Sequence, residues 1–364
     1  ETSTTKDVGM DLSMVNNKLN FTGDVYRRNT TNMYTVGQTL PAVFGTDVPK
    51  GNYADLKTIG WEASVTWRSQ FGIGSKTFRY NIGVWMSDYQ ATITKYNNTN
   101  NKLTDFYAGM KVGEIWGYEN DGYWTKDNVS GAAAAQALFK ASNSGQWLPG
   151  DIKFKDLNSD KFINNGDNTL ANHGDLKIIG NSTPRYTYGI SLGADYSNFT
   201  FSAFFQGVGK QDWWPGSESD VFWGQYNRPY NYAMKSQVGN MWTGDNPDAY
   251  WPRLRGYVAQ NGAGELAVAQ TKYLQNVAYI RLKNIQLGYN LPQALVRKWH
   301  LTATRFYVSG ENLWSWSPLY RVTRDLDVEN IGKSDVILTG TSNNGNGNNY
   351  PILKSITVGL SVTL

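Results

Sequence analysis

Residues 185–196 read RYTYGISLGADY. Tyr186, Tyr188, Ile190, Leu192, Ala194 and Tyr196 take every second position, with Arg185, Thr187, Gly189, Ser191, Gly193 and Asp195 between them. A period of two marks a strand with one apolar and one polar face. After Ser197 and Asn198 the pattern resumes with Phe199, Phe201, Ala203 and Phe205. Working outward, Ile356, Val358, Leu360, Val362 and Leu364 alternate with Ser355, Thr357, Gly359, Ser361 and Thr363. Similar runs are Val8-Met10-Leu12-Met14, Leu19-Phe21-Gly23-Val25, Trp61-Ala63-Val65-Trp67 and Phe78-Tyr80-Ile82-Val84-Met86. In 279–291 the phase changes between Leu282 and Ile285, which predicts a bulge. The segment 304–314 completes nine predicted strands.

The connections alternate as well. Short ones fall at 15–18, 69–76, 196–199 and 291–303, and long ones at 30–56, 88–184, 207–275 and 315–352. Tight turns at one end and long loops at the other are the habit of outer-membrane barrels. A soluble β-sandwich also has alternating strands, but seldom puts every long connection at one end. Its outward positions would also carry Lys and Glu, whereas the polar face here is mostly Gly, Ser and Thr. Trp61, Trp67, Tyr186, Tyr196 and Tyr289, near strand ends, suit interfacial girdles. The expected fold class is all-β: a large antiparallel transmembrane β-barrel with long extracellular loops. Nine is an odd number, and bacterial single-chain barrels close with even counts, so the chain reads as the C-terminal part of a larger barrel. On this reading Tyr188, Ile190, Leu192, Ile356, Val358 and Leu360 face lipid, while Thr187, Ser191, Thr357 and Ser361 face the lumen.

Composition narrows the chemistry. The 364 residues are 18% charged and 14% aromatic, carry 37 glycines and contain no cysteine, so disulfides and thiolate-held zinc are excluded. Only His173 and His300 are available, too few for a multi-histidine metal centre. No run approaches the ~20 apolar residues of a transmembrane helix. The net charge of +4 is spread along the chain and gives no nucleic-acid footprint. There is no Walker loop and no GxGxxG after a strand. Asp325 and Asp327 are paired carboxylates without a companion base or nucleophile, and they read as solvated loop charges. No enzyme is expected.

Eight segments, in order, carry a resemblance. They are GMDLSMVNNKLNFTGDVYRRNTTNM (9–33), ADLKTIGWEASVTWR (54–68), VGEIWGYENDGYW (112–124) and GDIKFKDLNSDKFINNGDNT (150–169). IIGNSTPRYTYGISLGADYSNFTFSAFFQGVG (178–209), MWTGDNPDAYWPRL (241–254), YIRLKNIQLGYNLP (279–292) and FYVSGENLWSWSPLY (306–320) follow. Together they resemble the C-terminal portion of SusC/RagA-type TonB-dependent outer-membrane transporters of the Bacteroidetes. The resemblance implies about the last nine strands of a 22-stranded barrel. It also implies a plug domain and TonB box that would precede Glu1. The partners it implies are a SusD-like surface lipoprotein, TonB acting through the plug, outer-membrane lipid, and an oligosaccharide or oligopeptide substrate. Leu364 departs from the terminal aromatic that many such barrels carry.

Two loop features could carry binding. Trp116, Tyr118, Tyr123 and Trp124 cluster in the second long connection, and Trp213, Trp214, Phe222, Trp223, Tyr226, Tyr230 and Tyr232 in the third. Exposed indoles and phenols suit stacking on sugars or peptide side chains, although they could equally pack the loops on one another. Trp116, Trp124, Trp213, Trp214, Trp223 and Tyr230 are the expected substrate contacts. The second feature is DLNSDKFINNGD at 156–167. It places Asp156, Asn158, Asp160, Asn164 and Asp167 at positions 1, 3, 5, 9 and 12 of a calcium-loop pattern, with the Phe162 carbonyl at position 7. Lys161 replaces the turn glycine, and Asp167 the longer glutamate. Structural Ca²⁺ and an Asx-rich loop bonded to its own backbone are the two readings. The run GAAAAQALFKA at 131–141 predicts a short helix, since alanine is the best helix former.

Overall fold

The computed structural model describes residues 1–37, 43, 45, 48–139, 146–228, 230–255, 257–260, 264–331 and 347–364. Nine strands form one antiparallel sheet in chain order. They are β1 (Thr2–Met14), β2 (Leu19–Val36), β3 (Lys50–Ile73), β4 (Lys76–Lys95) and β5 (Arg185–Tyr196). β6 (Phe199–Lys210), β7 (Tyr279–Asn290), β8 (Ala303–Trp316) and β9 (Ser355–Thr363) follow. Each of the nine alternating runs lies on one of them.

Register explains why the alternation is so regular. Met14, Leu19, Trp67, Ile82, Leu192, Ala203, Ile285, Gly310 and Ile356 are successive cross-strand partners, one per strand. Because side chains alternate faces, this row fixes one apolar face across the whole sheet. The opposite face carries the row Asp11, Thr22, Ser64, Trp85, Gly189, Gln206, Arg281 and Ser315. Trp85 lies flat over Gly189, where a Cβ would come within 2.4 Å of its ring, so glycine is required there. Tyr188, Ile190, Leu192, Ile356, Val358 and Leu360 share the apolar face, and Thr187, Ser191, Thr357 and Ser361 the polar one. The predicted bulge is present. β7 skips Lys283 in its pairing with both β6 and β8, which resets the phase between Leu282 and Asn284.

The strands run further than their alternation. β2 and β3 continue to Val36 and from Lys50, so about half of the predicted connection 30–56 is strand. Likewise β4 extends to Lys95 and β8 to Trp316, shortening the other long connections. β3, with 24 residues, is about 80 Å long at ~3.3 Å per residue, more than twice the ~9–11 tilted residues that cross the apolar band. Past that band neither face has lipid to meet, so pairing persists while the period-two signal fades.

The long connections hold three small ribbons: Glu114–Tyr118 with Leu176–Asn181, Asn120–Tyr123 with Ile152–Phe154, and Asp212–Trp213 with Gln275–Asn276. The alanine run makes only one turn, Ala132–Ala135, and residues 140 and 141 of its predicted span lie outside the described residues. Gln136 ends it: its buried side chain accepts from Phe154 N (2.8 Å) and donates to Ile152 O (3.2 Å). These segments share one hydrophobic core with the upper ends of the wall, Val208 of β6 and Tyr279 of β7. Val208 and Tyr279 are direct partners on the polar face, so the cap leans over that side of the sheet.

Candidate functional site: the loop cap and the polar wall

Most of the tryptophans expected to meet substrate are core instead. Trp124, Trp213 and Trp223 are buried, the last with 0% of its surface exposed. Trp223 Nε1 donates to the carbonyls of Pro215 (2.9 Å) and Gly216 (3.0 Å), while Phe222 and Trp251 meet its ring at 4.9 and 6.0 Å. Trp213 packs edge-on to Phe222 at 5.8 Å, and Lys153 lies 5.7 Å from the Trp124 ring. The expectation of exposed indoles fails for these three because connections this long bury an apolar core of their own. Trp251, which sequence reading passed over, is central to it: Tyr226 and Tyr273 each stack on its ring at 5.6 Å.

Trp116 and Trp214 are half-buried and Tyr230 is 82% exposed, so these three keep faces a ligand could reach. Trp116 Nε1 donates to Tyr107 Oη (3.1 Å), which donates to Glu114 Oε2 (2.6 Å). Burial, then the Glu114 carboxylate, push the Tyr107 hydroxyl up to about 12. His173 packs tilted against Trp116 at 5.4 Å and is only partly exposed.

The loop 156–167 turns its oxygens to its own chain. Asp156 accepts from the amides of Ser159 (2.6 Å) and Lys161 (2.8 Å), and Asp160 from Phe162 N (2.7 Å). Asn158 Oδ1 accepts from Asp160 N, and Asn164 Oδ1 from Gly166 N. The Phe162 carbonyl accepts from Asn164 Nδ2, and Asp167 Oδ2 from Asn172 Nδ2. Lys161 takes the left-handed φ of +70° at the position where the pattern has glycine. Buried Asp175, unmarked by the sequence pattern, ties the loop ends by accepting from Leu157 N and Asn164 N. Among the described residues no group of three or more His, Cys, Asp or Glu side chains is placed to hold a metal ion.

Two buried ionic clusters escaped sequence reading. Asp327 is not a solvated loop charge: it pairs with Arg281 on the polar face of β7 (2.5 Å), both side chains 5% exposed. Asp327 also accepts from Glu329 N and Ile352 N, tying the connection between β8 and β9 to the wall. Lys283, displaced by the bulge, reaches Glu329 at 3.1 Å. Burial alone would raise the Asp327 carboxyl, but Arg281 and the two amides outweigh it and hold it below the ordinary range. Asp325 stays exposed. Deeper in the cap, Arg255 grips Asp151 with both Nε and NH2 and donates to Gln146 O (2.7 Å). Beside them Glu265 is buried, with Oε2 accepting from Ile152 N (3.2 Å) and Oε1 without a partner among the described residues. Burial, then the Asp151 charge, push its carboxyl well above the usual range, with Arg255 opposing.

The apolar face, the polar face and the one-sided cap define the wall of an outer-membrane β-barrel. The comparisons carry that class further. No protein-family model matches the chain. It is 26% identical over 378 residues to TonB-dependent receptor P3 of Formosa agariphila, covering all of this chain and 34% of the receptor. Similarity to TonB-dependent receptor P26 of the same organism is 24% over 389 residues, with the same coverage of each. The chain thus spans about a third of the length of these curated relatives. Among solved structures, the RagAB peptide importer in its "open-open" state superposes with a TM-score of 0.66 at 17% identity, over all of this chain and 34% of that one. The RagAB peptide transporter gives 0.63 at 19% identity, over 86% and 31%. The resemblance to SusC/RagA-type TonB-dependent outer-membrane proteins, read from eight loop and strand segments, therefore holds along the whole chain.

Proposed function

We propose that the chain is the C-terminal part of the barrel wall of a TonB-dependent outer-membrane importer. The observation that carries this reading is the similarity to TonB-dependent receptors along the full chain. In this reading the turns near residues 16, 75, 197 and 297 are periplasmic and the cap is extracellular. A plug domain elsewhere in the longer protein receives energy from TonB, and a SusD-like lipoprotein closes over the cap. The substrate is an oligosaccharide or an oligopeptide; RagAB, described as a peptide importer, favours the second. Trp116, Trp214 and Tyr230 are the aromatic contacts offered to it. The wall does no covalent chemistry. Ca²⁺, held by Asp156, Asn158, Asp160, Phe162 O, Asn164 and Asp167, would stiffen the cap. It requires these oxygens to turn from the amides they now accept from, and calcium-dependent protection of 156–167 from proteolysis tests it.

The experiment for the main reading is purification of the full-length protein from its own membranes. A detergent-requiring barrel that brings a surface lipoprotein with it is expected. Monodisperse behaviour without detergent would instead mean a soluble carbohydrate-binding sandwich, and a barrel that purifies without any lipoprotein a passive porin.

A further inference from the structure

Three cations stand together on the face that the wall turns to lipid. On β1 to β3 the apolar face ends in the row Val8, Val25 and Trp61. The next row on that face holds Lys6 opposite Arg27, and the one beyond holds Lys57 opposite Asn29. Directly opposed side chains in a sheet have Cβ atoms about 5 Å apart, and like charges there are unfavourable. Among the described residues no carboxylate lies within ion-pair distance of Lys6, Arg27 or Lys57, and the one side-chain bond they make is Arg27 Nε to Asn29 Oδ1 at 3.3 Å. Asp88, the acid next to this surface as the partner of Trp61, is held by Arg185 at 2.5 Å.

Their height on the wall identifies what they meet. At ~3.4 Å per residue and a strand tilt of about 35–45°, Lys6, eight residues above Met14, stands about 20 Å up the membrane normal, and Lys57, ten residues above Trp67 in the same row, about 26 Å, against an apolar band of ~25 Å. The three cations therefore fall where hydrocarbon gives way to headgroups, on the long-connection side. A lipid whose anionic headgroup reached them would lay its chains on Met10, Leu12, Phe21 and Val65 below, on the same face.

We propose that Lys6, Arg27 and Lys57 form a binding site on the outside of the barrel for the phosphate groups of an outer-leaflet glycolipid of the lipid A kind. The proposal rests on the membrane reading and on the extracellular placement of the cap. The glycolipid phosphate neutralises the opposed Lys6 and Arg27 and anchors the upper ends of β1 to β3 at the membrane surface.

The test uses the full-length protein in nanodiscs containing bisphosphorylated lipid A, with retained lipid counted by native mass spectrometry after detergent release. The wild type is expected to retain lipid A, and a Lys6→Gln, Arg27→Gln, Lys57→Gln variant to lose at least about tenfold of it, the scale set by removing three cations from an anionic surface. An Arg27→Lys, Lys57→Arg variant should retain it, which separates charge from misfolding, and heat-modifiable gel migration reports folding of both. Equal retention by wild type and neutral variant overturns the site. So does equal retention of dephosphorylated lipid A, or displacement by millimolar inorganic phosphate, which would make it a small-ion site. A protein that does not enter nanodiscs at all refutes the membrane reading instead.

Discussion

Glu265 and Asp327 should respond to pH in opposite senses. The Glu265 carboxyl is raised by burial and by Asp151, so the folded protein holds a proton that the unfolded chain gives up near 4.3. That contribution to stability is complete below the unfolded value and fades as pH rises through the higher folded one. Glu265→Gln is therefore expected to flatten the loss of stability on the alkaline side and to melt above the wild type at pH ~8. Thermal unfolding of the full-length protein followed by tryptophan fluorescence across pH checks this, and parallel profiles would refute it. Asp327 is held low by Arg281, so its contribution is present above the unfolded carboxylate value and is lost as pH falls through the lower folded one. Asp327→Asn should remove an acid-side dependence, below pH ~4, and leave the alkaline side unchanged. Neither pairing was legible in the sequence. Arg281 and Asp327 are 46 residues apart, Arg255 and Asp151 are 104 apart, and no periodicity links charges across such distances. What the sequence did offer was an arginine on the polar phase of a strand, and that position gains its meaning only once the cap folds over it.

The strands were legible because their signal is local. Each alternating run needs only its own residues and a lipid face to select them, and the register then aligns nine runs without a slip of phase except at Lys283. Leu192 and Val358 are expected to be intolerant of arginine, at ~2–4 kcal/mol if they lie near the bilayer midplane, while Ser191→Arg enters the polar face at smaller cost. Folding yields into lipid vesicles along a urea series measure this, and equal losses at Leu192 and Ser191 would argue against the lipid face. The strand ends were misread for the complementary reason: beyond the membrane the alternation has nothing to record. Hydrogen exchange should settle what the pattern could not. Amides of residues 30–36 and 50–56 are expected to be protected like a strand, although they lie in what the sequence presents as a loop. Exchange there as fast as in an unstructured loop would contradict the extended pairing.

For the molecule as a whole, the cap is the part that composition announced and periodicity could not place. Fourteen tryptophans are more than a wall needs, and the position of nine of them in long connections suggested exposure. Connections of this length more often carry structure of their own, and here segments from both sides of β5 and β6 contribute to a single core. The Asn120–Tyr123 ribbon comes from one connection, and Trp223, Trp251 and Tyr273 from the next, yet Tyr123 Oη donates to Ala249 O (2.8 Å) and Tyr250 O (2.9 Å). A shared core makes the cap a cooperative unit in which damage to one connection spreads to the others. Trp223→Ala, at a site with no exposed surface, is expected to cost about 3–5 kcal/mol in cap stability. Tyr230→Ala, at an exposed site, should stay within ~0.5 kcal/mol. Limited proteolysis of the full-length protein separates a cooperative cap from independent loops. In Trp223→Ala new cleavage should arise in 96–184 as well as in 211–278, with the strands β4 to β7 intact, whereas Tyr230→Ala should cleave like the wild type. Cleavage confined to 211–278 would mean that each connection folds alone. The cap would then be a set of separate loops, and Trp116, Trp214 and Tyr230 would have no common frame in which to hold a substrate.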